Sequence, residues 1–218
     1  MILICPSILN VERKKIPWAL DAIAGTADFL HLDIMDGRFV PATTFSLEES
    51  RKIIESSQLP VDVHLMVERP EDLVSDFISM GARSITFHWE ATTQPDHLID
   101  LIHSLGAEAS IAIKPGTPYE PTAPYLQKLE MYLVMTVEPG AGGQAFMPLM
   151  LEKIRQVRRD IQRKKLDHIR LQVDGGINME TISLAAEAGA DCCVAGSAVF
   201  NSADPREMIA QLRERAAR

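Results

Sequence analysis

No stretch of this 218-residue chain approaches the roughly 20 consecutive apolar residues that cross a bilayer, so a helical membrane span is not expected. The opening Met1-Ile2-Leu3-Ile4 also lacks the charged flank and cleavage site of a secretory leader, and a cytoplasmic protein is expected. Cysteine is scarce. Cys5 stands alone and Cys192-Cys193 are adjacent, which supplies neither a disulfide framework nor the spacing of a zinc knuckle or redox pair. All three read as small buried residues on strands. Positive charge is in deficit, with 22 Lys and Arg against 30 Asp and Glu, a net charge of -8 and a pI near 5.3. Such a surface repels polyanions, so no nucleic acid and no membrane partner is expected, and an anionic ligand would need locally positive help. The first apolar run continues as Cys5-Pro6-Ser7-Ile8-Leu9-Asn10, with none of the glycines of a dinucleotide-binding turn. No linker rich in Pro, Ser or charge divides the chain, and residues 1–218 read as one domain.

What is present is alternation. The chain is 46% hydrophobic, and its short runs rich in Val, Ile and Phe are each followed by a longer amphipathic stretch, the pattern of consecutive βα units. Eight runs can be counted, at residues 2–9, 29–35, 61–66, 84–89, 108–113, 131–137, 169–173 and 191–195. Their near-continuous hydrophobicity suits parallel strands covered on both faces. Pro70-Glu71-Asp72 places a proline and acids in a helical first turn, and Gly81 stops that helix. The joint recurs in Gly81-Ala82-Arg83, Gly106-Ala107-Glu108 and Gly189-Ala190-Asp191. The predicted fold is α/β, a closed (β/α)8 barrel of the TIM type.

Active sites of such barrels lie where the strands end at their C-terminal face, so polar residues there are the informative ones. The period of two sends His31, Asp33 and Met35 to one face of the second strand and His64 and Met66 to one face of the third, while the seventh ends at Asp174. Taken singly, a strand histidine is more often a hydrogen-bonded core residue, and an aspartate at a strand end is often a helix cap. Two imidazoles and two carboxylates entering one mouth are different, because buried carboxylates without partners are costly. They call for a divalent cation such as Zn²⁺, Fe²⁺, Mn²⁺ or Co²⁺, or for a proton-transfer role.

Glycine rather than Arg or Lys provides for an anion. Pro139-Gly140-Ala141-Gly142-Gly143-Gln144 follows the sixth strand, Gly175-Gly176-Ile177-Asn178 the seventh and Gly196-Ser197-Ala198 the eighth, where bare backbone N–H groups can converge on a phosphate. The plainer reading is that these glycines only make tight turns. Lys114, ending the fifth strand, could be the Schiff-base lysine of a barrel aldolase. The basic stretch from Arg155 to Lys165 carries Ile154, Val157 and Ile161 at helical spacing and reads as a helix with a solvated face. His97, His103 and His168 read as structural or exposed; His88 stays open, since it ends the fourth strand.

These residues resemble the ribulose-phosphate 3-epimerases of the pentose phosphate and Calvin pathways. The resemblance rests on Pro6-Ser7-Ile8-Leu9, on His31-Leu32-Asp33-Ile34-Met35-Asp36-Gly37-Arg38-Phe39-Val40-Pro41 and on His64-Leu65-Met66-Val67. Pro139-Gly140-Ala141-Gly142-Gly143-Gln144, Val173-Asp174-Gly175-Gly176 and Gly196-Ser197 extend it across nearly the whole chain. It implies a ribulose-phosphate-binding barrel that interconverts D-ribulose 5-phosphate and D-xylulose 5-phosphate, with one divalent metal ion held by His31, Asp33, His64 and Asp174. The two aspartates are the implied acid and base. Ser7 and His64 would touch a phosphorylated ketose, Met35, Met66 and Met135 would line its pocket, and Gly142, Gly143, Gln144, Ala145, Gly175, Gly176, Gly196 and Ser197 would hold its phosphate. A related ketose phosphate such as D-allulose 6-phosphate is the alternative substrate, and a non-catalytic phosphosugar-binding barrel the remoter one. Orotidine-phosphate decarboxylase-like barrels share the phosphate loops but want an alternation of Asp and Lys that Asp33-Ile34-Met35 lacks. Barrels of this size often associate, so a homo-oligomer is expected. The chain departs from the family pattern at Arg38, Ala42, Ser46 and Ala141, where His, Asn, Gly and Phe are common.

Overall fold

The structure, a computed structural model, describes residues 2–217. Eight parallel strands form one sheet: β1 Leu3–Cys5, β2 Leu30–Met35, β3 Val61–Met66, β4 Ser84–His88, β5 Glu108–Ile113, β6 Met131–Met135, β7 Arg170–Asp174 and β8 Cys192–Val194. From β2 onward each pairs with the next in sequence and β8 returns to β1, so the sheet curls into the predicted barrel. The last seam, between β1 and β2, is held by a parallel bridge from Ser7 to His31 and a 3.0 Å hydrogen bond from His31 N to Pro6 O. His31, singled out by its chemistry, and Ser7, implied by the resemblance, therefore also close the barrel.

The helices are α1 Ile16–Ile23, α2 Leu47–Ser56, α3 Val74–Ser79, α4 Pro95–Ser104, α5 Met150–Arg163, α6 Thr181–Glu187, α7 Ser197–Phe200 and α8 Pro205–Ala216. The three repeated glycine joints are alike in geometry. Gly81, Gly106 and Gly189 take φ of +103°, +85° and +111°, and the following alanine N–H reaches back five residues to close the helix. The expected helix after β3 divides into a 3-10 turn at Pro70–Asp72 and then α3. Between β5 and β6 the amphipathic segment forms only a 3-10 helix, Ala123–Lys128. Pro115, Pro118, Pro121 and Pro124 remove the backbone donors that a longer helix would require. Ser46, where the family pattern has glycine, caps α2: its hydroxyl accepts from Glu49 N, and the Glu49 carboxylate accepts from Ser46 N.

Alternation along the strands divides the core in two. The outward residues, such as Leu32, Ile34, Val63, Leu65, Ile85 and Phe87, pack under the helices in one continuous apolar layer. The inward face is uneven. β6, β8 and β1 contribute Met131, Leu133, Cys192, Val194 and Cys5, whereas β2, β3 and β4 contribute His31, Asp33, Asp62, His64, Ser84, Thr86 and His88, all buried. Polar groups in such a place need partners, and theirs are one another. Cys5 and Cys192 lie side by side as buried free thiols, Sγ to Sγ 3.3 Å, in agreement with their reading as interior residues.

Candidate active site

His31 and Asp33 leave β2, His64 leaves β3 and Asp174 ends β7, so parallel strands bring all four to the C-terminal mouth of the barrel. His31 Nε2 lies 3.3 Å from His64 Nδ1. Asp33 Oδ1 is 3.4 Å from the first nitrogen and 3.2 Å from the second, and Asp174 Oδ2 is 3.9 and 3.7 Å from them. One ligand-type atom from each residue lies within 4.8 Å of all the others. Two imidazole nitrogens and two carboxylate oxygens on one small volume are a donor set suited to a divalent transition metal, and the cluster fits a metal site.

Each group is tuned by the others. Burial pushes the His31 imidazole down, but the charges of Asp33 and Asp62 and their hydrogen bonds outweigh it and hold it well above its ordinary value. Surroundings that favour a proton on His31 favour any cation there. Burial would raise Asp33 too, yet His31 and His64 hold it well below the usual carboxylate range. Asp174 goes the other way: burial and then the charge of Asp33 push it up to about 6. The two carboxylates of one site are thus driven apart.

Behind these four stands a set of supporting groups. His31 Nδ1 lies 3.0 Å from Asp62 Oδ2, and the Asp62 carboxylate accepts from Ser84 Oγ at 2.7 Å, Thr86 Oγ1 at 3.0 Å and Gln172 Nε2 at 3.1 Å. His64 Nε2 lies 2.9 Å from His88 Nε2, and His88 Nδ1 is 3.2 Å from Glu90 Oε2. Burial is the main force holding His88 down at about 4, and Glu90, despite its own burial, is lowered to about 2 by donors that include His88 and Thr117. Asp62, Glu90 and Gln172 were not anticipated as site residues, and the sequence leaves His88 open. Strand parity could have found three of them, since Asp62 shares a face with His64, His88 with Thr86, and Gln172 with Asp174. Glu90 lies in a 3-10 turn beyond β4, where no strand rule applies.

Above the cluster is a cavity of about 350 Å³. Ser7, Asp33, Met35, Met66, Met135 and Asp174 line its floor, and the loops after β6, β7 and β8 line the rest through Gly140 to Gln144, Gly175 to Asn178 and Gly196 to Ala198. Among the described residues no Arg or Lys lines it, so backbone N–H groups are the positive partners on offer to an anion. Gly176 is sterically required: it takes a φ of +67°, and a Cβ there would lie 2.3 Å from the backbone of Phe146 at N. A Cβ on Gly142 would lie 2.4 Å from Asn10 Nδ2, a contact that movement of the Asn10 side chain would have to relieve. Thr136 Oγ1 ties the loops together by donating to Gly175 O at 2.6 Å and Asp174 O at 2.9 Å. His31 and His64 lie fully buried beneath the floor. Of the expected phosphate-holding residues, Ala145 is exposed and outside the lining. Lys114 is also outside it, with Nζ 3.8 Å above the Phe39 ring, so nothing in the cavity supports the Schiff-base reading.

Residues 3–200 match the ribulose-phosphate 3 epimerase family. The chain belongs to that family. It is 44% identical over 214 residues to ribulose-phosphate 3-epimerase from Mycobacterium leprae, covering 98% of this chain and 95% of the relative. It is 39% identical over 218 residues to the Escherichia coli K12 enzyme, covering 99% and 96%. It is 40% identical over 216 residues to the cytoplasmic isoform from Oryza sativa subsp. japonica, covering 97% and 92%. This epimerase is accordingly an isomerase. The barrel is also similar to 3-hexulose-6-phosphate synthase from Salmonella typhimurium, with a TM-score of 0.74, 16% identity and coverage of 100% and 99%. That likeness concerns the fold. No described helix of the epimerase is long and apolar enough to cross a membrane.

Proposed function

We propose that the epimerase interconverts D-ribulose 5-phosphate and D-xylulose 5-phosphate in the cytoplasm, by moving a proton at C3 between two faces of the sugar. The observation that carries this reading is the pair of carboxylates, Asp33 and Asp174, held around His31 Nε2 at 3.4 and 3.9 Å on the floor of a glycine-lined cavity. The relatives' names supply the substrate, and the name of the rice isoform supports the location.

Inversion next to a ketone needs a base on one face and an acid on the other. Asp33 and Asp174 arrive from β2 and β7, which are not neighbours in the sheet, and so can flank a ligand between them. One takes the C3 proton while the other delivers a proton to the opposite face, and the roles exchange in the reverse direction. Ser7 Oγ donates to Asp33 at 2.6 Å and keeps that carboxylate oriented. Met35, Met66 and Met135, buried and adaptable, exclude water around the reacting carbons. Gly142, Gly143, Gln144, Gly175, Gly176, Gly196 and Ser197 hold the phosphate at the cavity's far side. His31, Asp33, His64 and Asp174 would hold a divalent ion, whose positive charge would stabilise the negative charge that develops when the C3 proton leaves.

Incubation with D-ribulose 5-phosphate in deuterated water tests this. The expected result is D-xylulose 5-phosphate carrying deuterium at C3. Absence of both product and label overturns the reading, and faster turnover of D-allulose 6-phosphate reassigns the substrate.

A further inference from the structure

We infer that Glu90 and His88 form a positioning pair that fixes which nitrogen of His64 carries its proton, and so keeps His64 Nδ1 ready to bind a metal ion. The inference rests on the reading of His31, Asp33, His64 and Asp174 as a metal site.

A single proton occupies the 2.9 Å gap between His64 Nε2 and His88 Nε2 when both rings are neutral. Both rings are fully buried, so water cannot substitute for either. If the proton belongs to His64, its Nδ1 is a lone pair open to a cation; without a cation that lone pair faces Asp33 Oδ1 at 3.2 Å, an acceptor that pulls the proton toward Nδ1, and His31 Nε2 at 3.3 Å. If it belongs to His88, the His64 proton sits on Nδ1 and blocks coordination. The hydrogen bond between the rings is equally good either way, so it cannot make the choice.

Glu90 makes it. Its Oε1 accepts the backbone N–H of Lys114 at 2.8 Å and the Thr117 hydroxyl, and its Oε2 lies 3.2 Å from His88 Nδ1. An ionised carboxylate only accepts, so His88 carries its proton on Nδ1 and its Nε2 becomes an acceptor. His64 then donates from Nε2, and its Nδ1 is free. Phe39 lies against His88 with ring centroids 4.8 Å apart, which closes that side of the relay. His31 receives the same instruction more directly, from Asp62 at its Nδ1. The two ligands differ because His31 presents Nε2 to the cluster and His64 presents Nδ1, which turns the back of the His64 ring toward β4 and its histidine.

The test uses the full chain. In Zn²⁺-loaded wild-type protein, nitrogen NMR of His88 is expected to show the proton on Nδ1, with Nε2 accepting from His64. Finding it on Nε2 overturns the inference, and this measurement needs no substitution that might disturb folding. Glu90→Gln, whose amide can donate or accept, is expected to give His88 a mixture of tautomers and to weaken Co²⁺ binding about 10- to 100-fold. Glu90→Asp, still an acceptor only, is expected to retain the His88 Nδ1 proton. Wild-type Co²⁺ affinity in Glu90→Gln sinks the positioning role alone; failure of the wild-type protein to bind Co²⁺ and to epimerise sinks the metal-site reading beneath it.

Discussion

Ser7 Oγ accepts the Leu9 backbone N–H at 3.2 Å and donates at 2.6 Å to Asp33 Oδ2, so the hydroxyl proton is aimed at one of the two active-site carboxylates and not the other. Asp174 receives no such bond among the described residues. The contrast separates two groups that look equivalent in sequence, and it has measurable consequences.

Ser7→Ala removes the hydroxyl donor while leaving Asp33 its two histidines. A hydrogen bond to a charged group contributes about 1.5–3 kcal/mol. The expected loss is about 10-fold or more in kcat/KM, read in a coupled steady-state assay, with a melting temperature within a few degrees of wild type. Wild-type kcat/KM would show that the bond is idle in turnover.

Asp33→Asn and Asp174→Asn should each abolish epimerisation, by about a thousand-fold or more, with the fold retained. If the two carboxylates serve opposite faces, each variant keeps one working face. One should still exchange the C3 proton of ribulose 5-phosphate with solvent, and the other that of xylulose 5-phosphate. Exchange of the same epimer by both variants contradicts the two-face assignment.

The same two carboxylates should have opposite effects on the stability of the metal-free protein. Asp174 is raised from 3.8 to about 6, so folding takes up a proton between these values, and stability falls as pH rises through that window. Asp174→Asn is therefore expected to stabilise chelator-treated protein at pH 8 by on the order of 1–2 kcal/mol after allowing for screening, read as a higher melting temperature, with the gap closing toward pH 4. Asp33 is lowered, so its contribution is present above its ordinary value and lost as pH falls. Asp33→Asn should lower the melting temperature at pH 8. Shifts of the same sign in both variants at that pH would show the environments to be misassigned.

Gly176→Ala places a methyl group against Phe146 N in a backbone conformation that alanine resists. The loops after β6 and β7 must separate to accept it. Inhibition by inorganic phosphate should weaken at least about 10-fold and KM should rise, with metal content unchanged. Unaltered phosphate inhibition would remove that junction from the phosphate site.

The barrel was legible because strand and helix periods are local. Eight apolar runs, glycine joints at Gly81, Gly106 and Gly189, and the parity of His31 with Asp33 all follow from neighbours in the chain. The exception within that pattern, the 3-10 segment between β5 and β6, carried its own signal in regularly spaced prolines. Parity also says which residues share a face, but not what stands opposite them. That His64 meets His88 depends on the stagger of β3 against β4, where His64 pairs with Thr86 and the His88 ring reaches back from two residues further on. That Ser7 meets Asp33 depends on closure of the last seam through Ser7 and His31.

The sequence by itself therefore determined the fold, the four residues His31, Asp33, His64 and Asp174 and the glycine loops that face them, since each is written in spacing and residue type. Tertiary structure alone decided that Asp33 and Asp174 are unequal, that Lys114 lies outside the cavity, and that Glu90 reaches His64 through His88. Those relations are set by distances between strands remote in the chain, and a few ångströms of register or closure create or abolish them.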